Sequence, residues 1–204
     1  MSEQPMRISA PFDDATARAL KAGDHVLISG TILAARDAAH KRMVEALDRG
    51  EELPVDLRGA VVYYVGPSPA KPGQAIGAAG PTTSGRMDAY TPRLLDQGLK
   101  GMIGKGYRTP EVVDAMKKHG VPYLAAVGGA GALLSGCIKK YTVLAYADLG
   151  PEAVAAMEVE DFPAIVAIDA EGNDYYEQGQ APYRRLGETA HGRQPGRQTT
   201  YGKG

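Results

Sequence analysis

Gly80-Pro81-Thr82-Thr83-Ser84-Gly85-Arg86-Met87-Asp88 crowds three hydroxyls, two glycines and one guanidinium into nine residues. Upstream, Gln74 to Ala79 is short and small enough for a strand end. Downstream, Met87, Tyr90, Leu94 and Leu95 recur at helical spacing and stop at Gly98. The spacing predicts a turn feeding a helix N-terminus, where unpaired backbone N–H groups and the positive end of the dipole attract an anion. The hydroxyls of Thr82, Thr83 and Ser84 can donate to carboxylate or phosphate oxygens, and Arg86 can clamp them bidentately. The same residue types also make a plain helix cap, and Gly-Pro is ordinary loop punctuation. The rest of the chain has to decide between the two.

Outward from that stretch, strands and helices alternate. His25-Val26-Leu27-Ile28-Ser29 is β-prone and is expected to end at Gly30. The residues from Thr31 lead into a helix carrying Met43, Val44 and Leu47 that stops at Gly50, with Arg36, His40 and Lys41 on one face, either as part of a site or as a solvated basic face. Ala60 to Val65 reads as a buried strand, and Gly101 to Gly106 as a short strand ending in Lys105 between two glycines. Thr109-Pro110-Glu111 opens a helix closed by Gly120, and Val121 to Val127 is the next strand. Gly128 to Gly131 only loosely resembles a phosphate loop, since no Gly-Lys-Ser/Thr follows; helix packing against a sheet is the preferred reading. Tyr141 to Tyr146 is strand-like, Pro151 to Met157 is expected to be a short helix, and Ala164 to Ile168 a strand turning through Asp169 to Asn173 into a second one. An entry helix through Leu20, capped by Asp13 or Asp14, completes an α/β domain with a mixed sheet.

Composition narrows the function classes. The chain has 204 residues, enough for one domain with a proper core, and a formal net charge of -1, which gives no electrostatic case for nucleic acid or an anionic membrane. The N-terminal residues lack the apolar core of a signal peptide, and the run from Val121 to Ile138 is too broken by glycine and proline to span a bilayer. A single cysteine, Cys137, excludes an internal disulfide and fits a reducing, cytoplasmic setting. It cannot hold an iron–sulfur cluster alone and reads as a small buried hydrophobe. From Gly187 to Gly204 apolar periodicity vanishes, so a domain over residues 1–186 and a disordered tail over 187–204 are expected.

Taken together, Arg36-Asp37 with His40, the Thr82 to Asp88 run, Ile103-Gly104-Lys105-Gly106 and Val159-Glu160-Asp161-Phe162-Pro163-Ala164 resemble the β region of the iron–sulfur-dependent hydro-lyases, the class I fumarases and L-tartrate dehydratases. The resemblance spans about Ala22 to Gln178. It implies a swivelling β/β/α domain and a division of labour in which a separate α subunit holds a 4Fe-4S cluster and this chain holds no metal. It further implies that Arg36, Thr82, Thr83, Arg86 and Lys105 face a small dicarboxylate across the subunit interface. Thr82, Arg86 and Lys105 would be the catalytic groups: Thr82 for proton transfer, Lys105 and Arg86 for the charge developing on the substrate. Asp37 and His40 would orient Arg36 from behind, with helix capping the other reading of Asp37. Two guanidiniums and an ammonium suit a dianion, and an unassisted threonine hydroxyl is too weak a base without a partner carboxylate. The resemblance favours the β subunit of a fumarate hydratase acting in a hetero-oligomer; the alternatives are an L-tartrate dehydratase β subunit and a non-catalytic dicarboxylate-binding subunit.

Overall fold

A computed structural model describes residues 4–126 and 131–178. Seven strands, β1 (Met6–Ala10), β2 (His25–Ala34), β3 (Val61–Tyr63), β4 (Gly101–Gly104), β5 (Tyr123–Ala125), β6 (Ile138–Ala145) and β7 (Val154–Ile168), form one mixed sheet. Strands β1 to β5 run parallel to their sequence neighbours, and β7 is antiparallel to β2, β5 and β6. Because β7 pairs with both β2 and β5, the path β2–β3–β4–β5–β7 returns to β2 and closes on itself.

Side-chain alternation explains the layering. In β3, β4 and β5 the residues Val61, Tyr63, Ile103 and Leu124 face a core shared with Ile28, Ile32, Met157 and Phe162. Their neighbours Val62, Tyr64, Met102 and Tyr123 face a second core with helix residues. These helices are α2 (Asp37–Asp48), α3 (Thr91–Leu95) and α4 (Pro110–His119), which contribute Met43, Leu94 and Met116. Parallel strands buried on both faces read as continuous apolar runs, which is how Ala60 to Val65 reads.

Several local expectations hold. Helix α1 (Asp14–Ala19) is capped by Asp13, whose carboxylate accepts from the Thr16 amide at 2.7 Å. Helix α4 starts with Pro110 and ends on Gly120 in the left-handed conformation. Cys137, expected to be buried, is only half-buried and packs against the edge of the inner core.

Others are corrected. Strand β2 does not stop at Gly30 but continues to Ala34, with Gly30 at φ 110° accommodating a register shift against β7; a glycine inside a strand marks a bulge as readily as an end. Gln74 to Ala79 is not a strand, and the helix expected from Met87 to Gly98 is a 3-10 turn over Ser84–Met87 followed by α3. Pro151 to Met157 is not a helix: a 3-10 segment ends at Glu152, and from Val154 the chain belongs to β7, a 15-residue strand. Asp174 makes a single bridge to Ile168, and residues 175–178 are helical instead of extended. The glycine run from Gly128 and the tail 187–204 lie outside the described residues, apart from Gly131, which opens α5 (Gly131–Gly136).

Candidate active site

The carboxyl ends of β2, β3 and β4 point to one edge of the sheet, the edge where ligands bind in open parallel sheets. Two residues past β2 stands Arg36; directly past β4 stands Lys105. The Thr82 to Asp88 run lies across this edge and is stitched to it by backbone bonds. The Thr82 amide donates to the Tyr64 carbonyl at 2.7 Å, the Ser84 amide donates to the Lys105 carbonyl at 2.9 Å, and Thr83 pairs with Lys105 in a parallel bridge. Thr82 and Lys105, 23 positions apart by number, are thereby neighbours across two adjacent strand ends.

Arg36 and Arg86 meet at a shared carboxylate. Arg86 Nη2 donates to Asp37 Oδ2 at 2.8 Å, and Arg36 Nη2 lies 3.5 Å from Asp37 Oδ1 and 3.4 Å from Glu152 Oε1. The Arg36 side chain crosses Gly66 so closely that a Cβ there would lie 2.6 Å from Nη1. Glu152 also accepts from the Ala38 amide at 3.1 Å, so it caps α2 from outside the helix while holding Arg36. Asp37 is the first residue of α2 and does not cap it; its carboxylate faces the two arginines, hydrogen-bonded to Arg86 and ion-paired to Arg36. Arg36 Nε and Asp37 Oδ1 are buried without a hydrogen-bond partner among the described residues, so hydrogen-bonding capacity remains at this point.

His40 is fully buried rather than sharing a face with Arg36 and Lys41, and Lys41 turns outward to Glu45. The His40 ring Nδ1 bonds the Arg36 carbonyl at 2.7 Å, and the ring packs edge-on against Tyr64. It thus holds the Arg36 backbone, not its guanidinium. Burial pushes the His40 pKa down to about 4, so the ring is neutral at pH 7.

Beneath the edge lies a network that includes none of the candidate site residues. Arg108 is buried, donating to Asp88 Oδ1 and Thr91 Oγ1 at 2.8 Å each and to Tyr64 Oη at 3.3 Å, with its guanidinium over the Tyr64 and Tyr123 rings. Asp88 takes a second bond from the Thr109 amide at 2.8 Å. Asp88 stands in the focal run, and an arginine within the short loop between β4 and α4 was the available signal for its partner. Nothing in local spacing pointed to Glu152.

Thr83, Arg86 and Lys105 are exposed, so the group forms a face of the molecule and not an enclosed cavity. A separate surface hollow lined by Leu47, Leu53, Val55, Asp56 and Gln97 sits toward the amino ends of β3 and β4, away from these side chains. Among the described residues no three His, Cys, Asp or Glu side chains group in a way that could hold a metal ion. No helix among them is long and apolar enough to cross a membrane.

A family model described as the fumarase C-terminus matches residues 3–179. The chain belongs to this family. Among fumarase C-terminus relatives, the class I aerobic fumarate hydratase of Salmonella typhimurium is 46% identical over 156 residues, covering 76% of this chain and 27% of the relative. Fumarate hydratase 2 of Leishmania major is 45% identical over 156 residues, covering 76% and 28%. The chain therefore spans little more than a quarter of the length of these two hydro-lyases. The "Putative L(+)-tartrate dehydratase subunit beta" of Methanocaldococcus jannaschii is 39% identical over 176 residues, covering 83% of this chain and 90% of the relative.

Proposed function

We propose that this chain is the β subunit of a two-subunit class I fumarate hydratase, which interconverts fumarate and L-malate at a site shared with an α subunit. The observation that carries the reading is the exposed edge where Arg36 and Arg86 converge on Asp37 beside Thr82, Thr83 and Lys105. In this reading Arg36 and Arg86 each take a substrate carboxylate, with Thr83 donating to one of them. Lys105 and Arg86 stabilise the charge that grows on the carboxylate as a proton leaves the neighbouring carbon. Thr82 moves that proton, assisted by a carboxylate from the partner, since its hydroxyl alone is too weak a base. Asp37 fixes both guanidiniums before substrate arrives, and His40 fixes the backbone that bears one of them.

In this reading the 4Fe-4S cluster belongs to the α subunit, since Cys137 alone cannot supply the thiolates that hold such a cluster. An exposed half-site with an open side is what a second subunit would close. The near full-length match to a relative named as a β subunit supports the two-chain arrangement. The closed strand path with helices packed outside β3, β4 and β5 supports reading the fold as the swivelling β/β/α domain, and the single cysteine supports a cytoplasmic setting. That same relative favours L-tartrate as the second candidate, because the two substrates differ by one hydroxyl and only a few contacts separate them.

The test is anaerobic mixing of the full chain with a cluster-loaded α subunit. Addition of L-malate should raise the ultraviolet absorbance of fumarate. Turnover of L-tartrate alone would move the reading to the second candidate, and absence of turnover with both would overturn it. Tight dicarboxylate binding by the chain alone, measured by calorimetry, would instead favour a binding subunit.

A further inference from the structure

Tyr123 lies on β5, two strands away from β3, and its ring is fully buried. Its hydroxyl nevertheless reaches both segments that bear the proposed catalytic groups. Tyr123 Oη donates to the Gly106 carbonyl at 3.0 Å and lies 2.8 Å from Ser84 Oγ. A phenol has one proton; with that proton on Gly106, Ser84 must be the donor to Tyr123. The result is a directed chain, Ser84 O–H to Tyr123 O–H to the Gly106 carbonyl. Burial raises the Tyr123 pKa above its ordinary value, which keeps the proton in place at neutral pH.

The chain brackets Lys105. On one side, a Cβ at Gly104 would collide with Ser84 Oγ and come within 2.8 Å of the Tyr64 ring, so the serine hydroxyl occupies the space that a side chain at 104 would need. On the other, Gly106 has φ 84° and presents its carbonyl to Tyr123. The Ser84 amide closes the loop by donating to the Lys105 carbonyl. Thr82 and Thr83 precede Ser84 directly, so whatever fixes Ser84 fixes them relative to Lys105.

We propose that Tyr123, acting through Ser84 and Gly106, is a positioning residue: its hydroxyl sets the Lys105 turn against the Thr82–Thr83 hydroxyls and thereby sets the turnover rate. The inference rests on the functional reading above. It goes further in assigning a catalytic consequence to a buried side chain that reaches the site only through other residues. Misplacement of a catalytic group by about 1 Å can cost on the order of a hundredfold in rate, so a single lost tether is enough to be measured.

The test is Tyr123→Phe, which keeps the ring in both its core and its stacking with Arg108 and removes only the oxygen, alongside Ser84→Ala and the double variant. In the full chain, amide hydrogen exchange at Ser84 should accelerate at least about tenfold while amides of β2 and β7 keep their rates, because only the local tether is lost. In the active complex, kcat should fall at least about tenfold with KM changed less than about threefold, a barrier change of 1.4 kcal/mol or more. The double variant should be no slower than the worse single one, since both act through one chain of bonds. Unchanged Ser84 exchange, unchanged kcat, additive losses, or exchange that accelerates throughout the molecule would each overturn the proposal. If the wild-type complex turns over neither dicarboxylate, the functional reading fails by itself, and Ser84 exchange still decides whether Tyr123 is the tether.

Discussion

Arg86 donates to Asp37 at 2.8 Å although 49 positions separate them in the chain. The contact joins the focal glycine- and hydroxyl-rich run to the start of α2, which also bears Arg36. Arg86→Ala should lower kcat/KM at least about tenfold, because losing a charged hydrogen-bond partner of a carboxylate costs about 2 kcal/mol. Asp37→Ala should cost less, and the two losses should not add, since in the proposed reading Asp37 acts through the guanidinium it holds. Steady-state kinetics of the single and double variants in the complex check both statements.

Gly66→Ala probes Arg36 without touching it. The new methyl would meet the Arg36 guanidinium and its Cδ, both on a side chain that can swing aside. The unfolding midpoint should stay unchanged while KM rises about three- to tenfold, short of the loss in Arg36→Ala, as expected when a charged contact is displaced and not deleted.

The buried Arg108–Asp88 pair should matter to stability far more than the exposed pairs. Asp88→Ala leaves a guanidinium buried without its charge partner and should destabilise the chain by about 3–5 kcal/mol in urea unfolding. Pairing it with Arg108→Met should restore much of that, whereas Lys140→Ala, at the surface pair with Glu158, should change stability by less than about 1 kcal/mol.

Stability should depend on pH through His40. Unfolded, the ring takes a proton near pH 6.5; folded, only near pH 4. Between those values the unfolded chain binds the extra proton, so stability is full above about pH 6.5 and falls as pH drops toward 4, by about 2 to 3 kcal/mol. Urea unfolding at pH 7 and pH 4.5 measures the loss. His40→Asn, whose amide can still donate to the Arg36 carbonyl, should flatten the slope even if it lowers stability at pH 7.

What sequence made legible was whatever depends on residue type or on short-range pattern. The hydroxyls and Arg86 of the focal run, Lys105 between its glycines, the buried strand around Val62 and the Pro110 start of α4 all belong to that kind. What it hid depends on pairing at a distance. Gly30 read as a stop because glycine punctuates strands, yet the pairing with β7 carries β2 onward to Ala34. Pro151 to Met157 read as a helix because small and apolar residues suit both periods, and only pairing with β2 and β6 selects the extended one. Glu152 was lost with that segment. The Ser84–Tyr123 contact was out of reach because no local spacing foretells a bond across 39 positions.

The β2–β7 ladder has a consequence for charge. Ala34 faces Ala155 at its last rung, so Arg36 leaves one strand two residues later, and Glu152 enters the other three residues earlier. Sliding one strand by a single residue would invert the faces of every side chain beyond that rung and carry the acid away from the guanidinium. The alignment of these two strands is thus what keeps an acid beside the Arg36 guanidinium, and a change in their packing would be felt as a change in the charge presented at the rim.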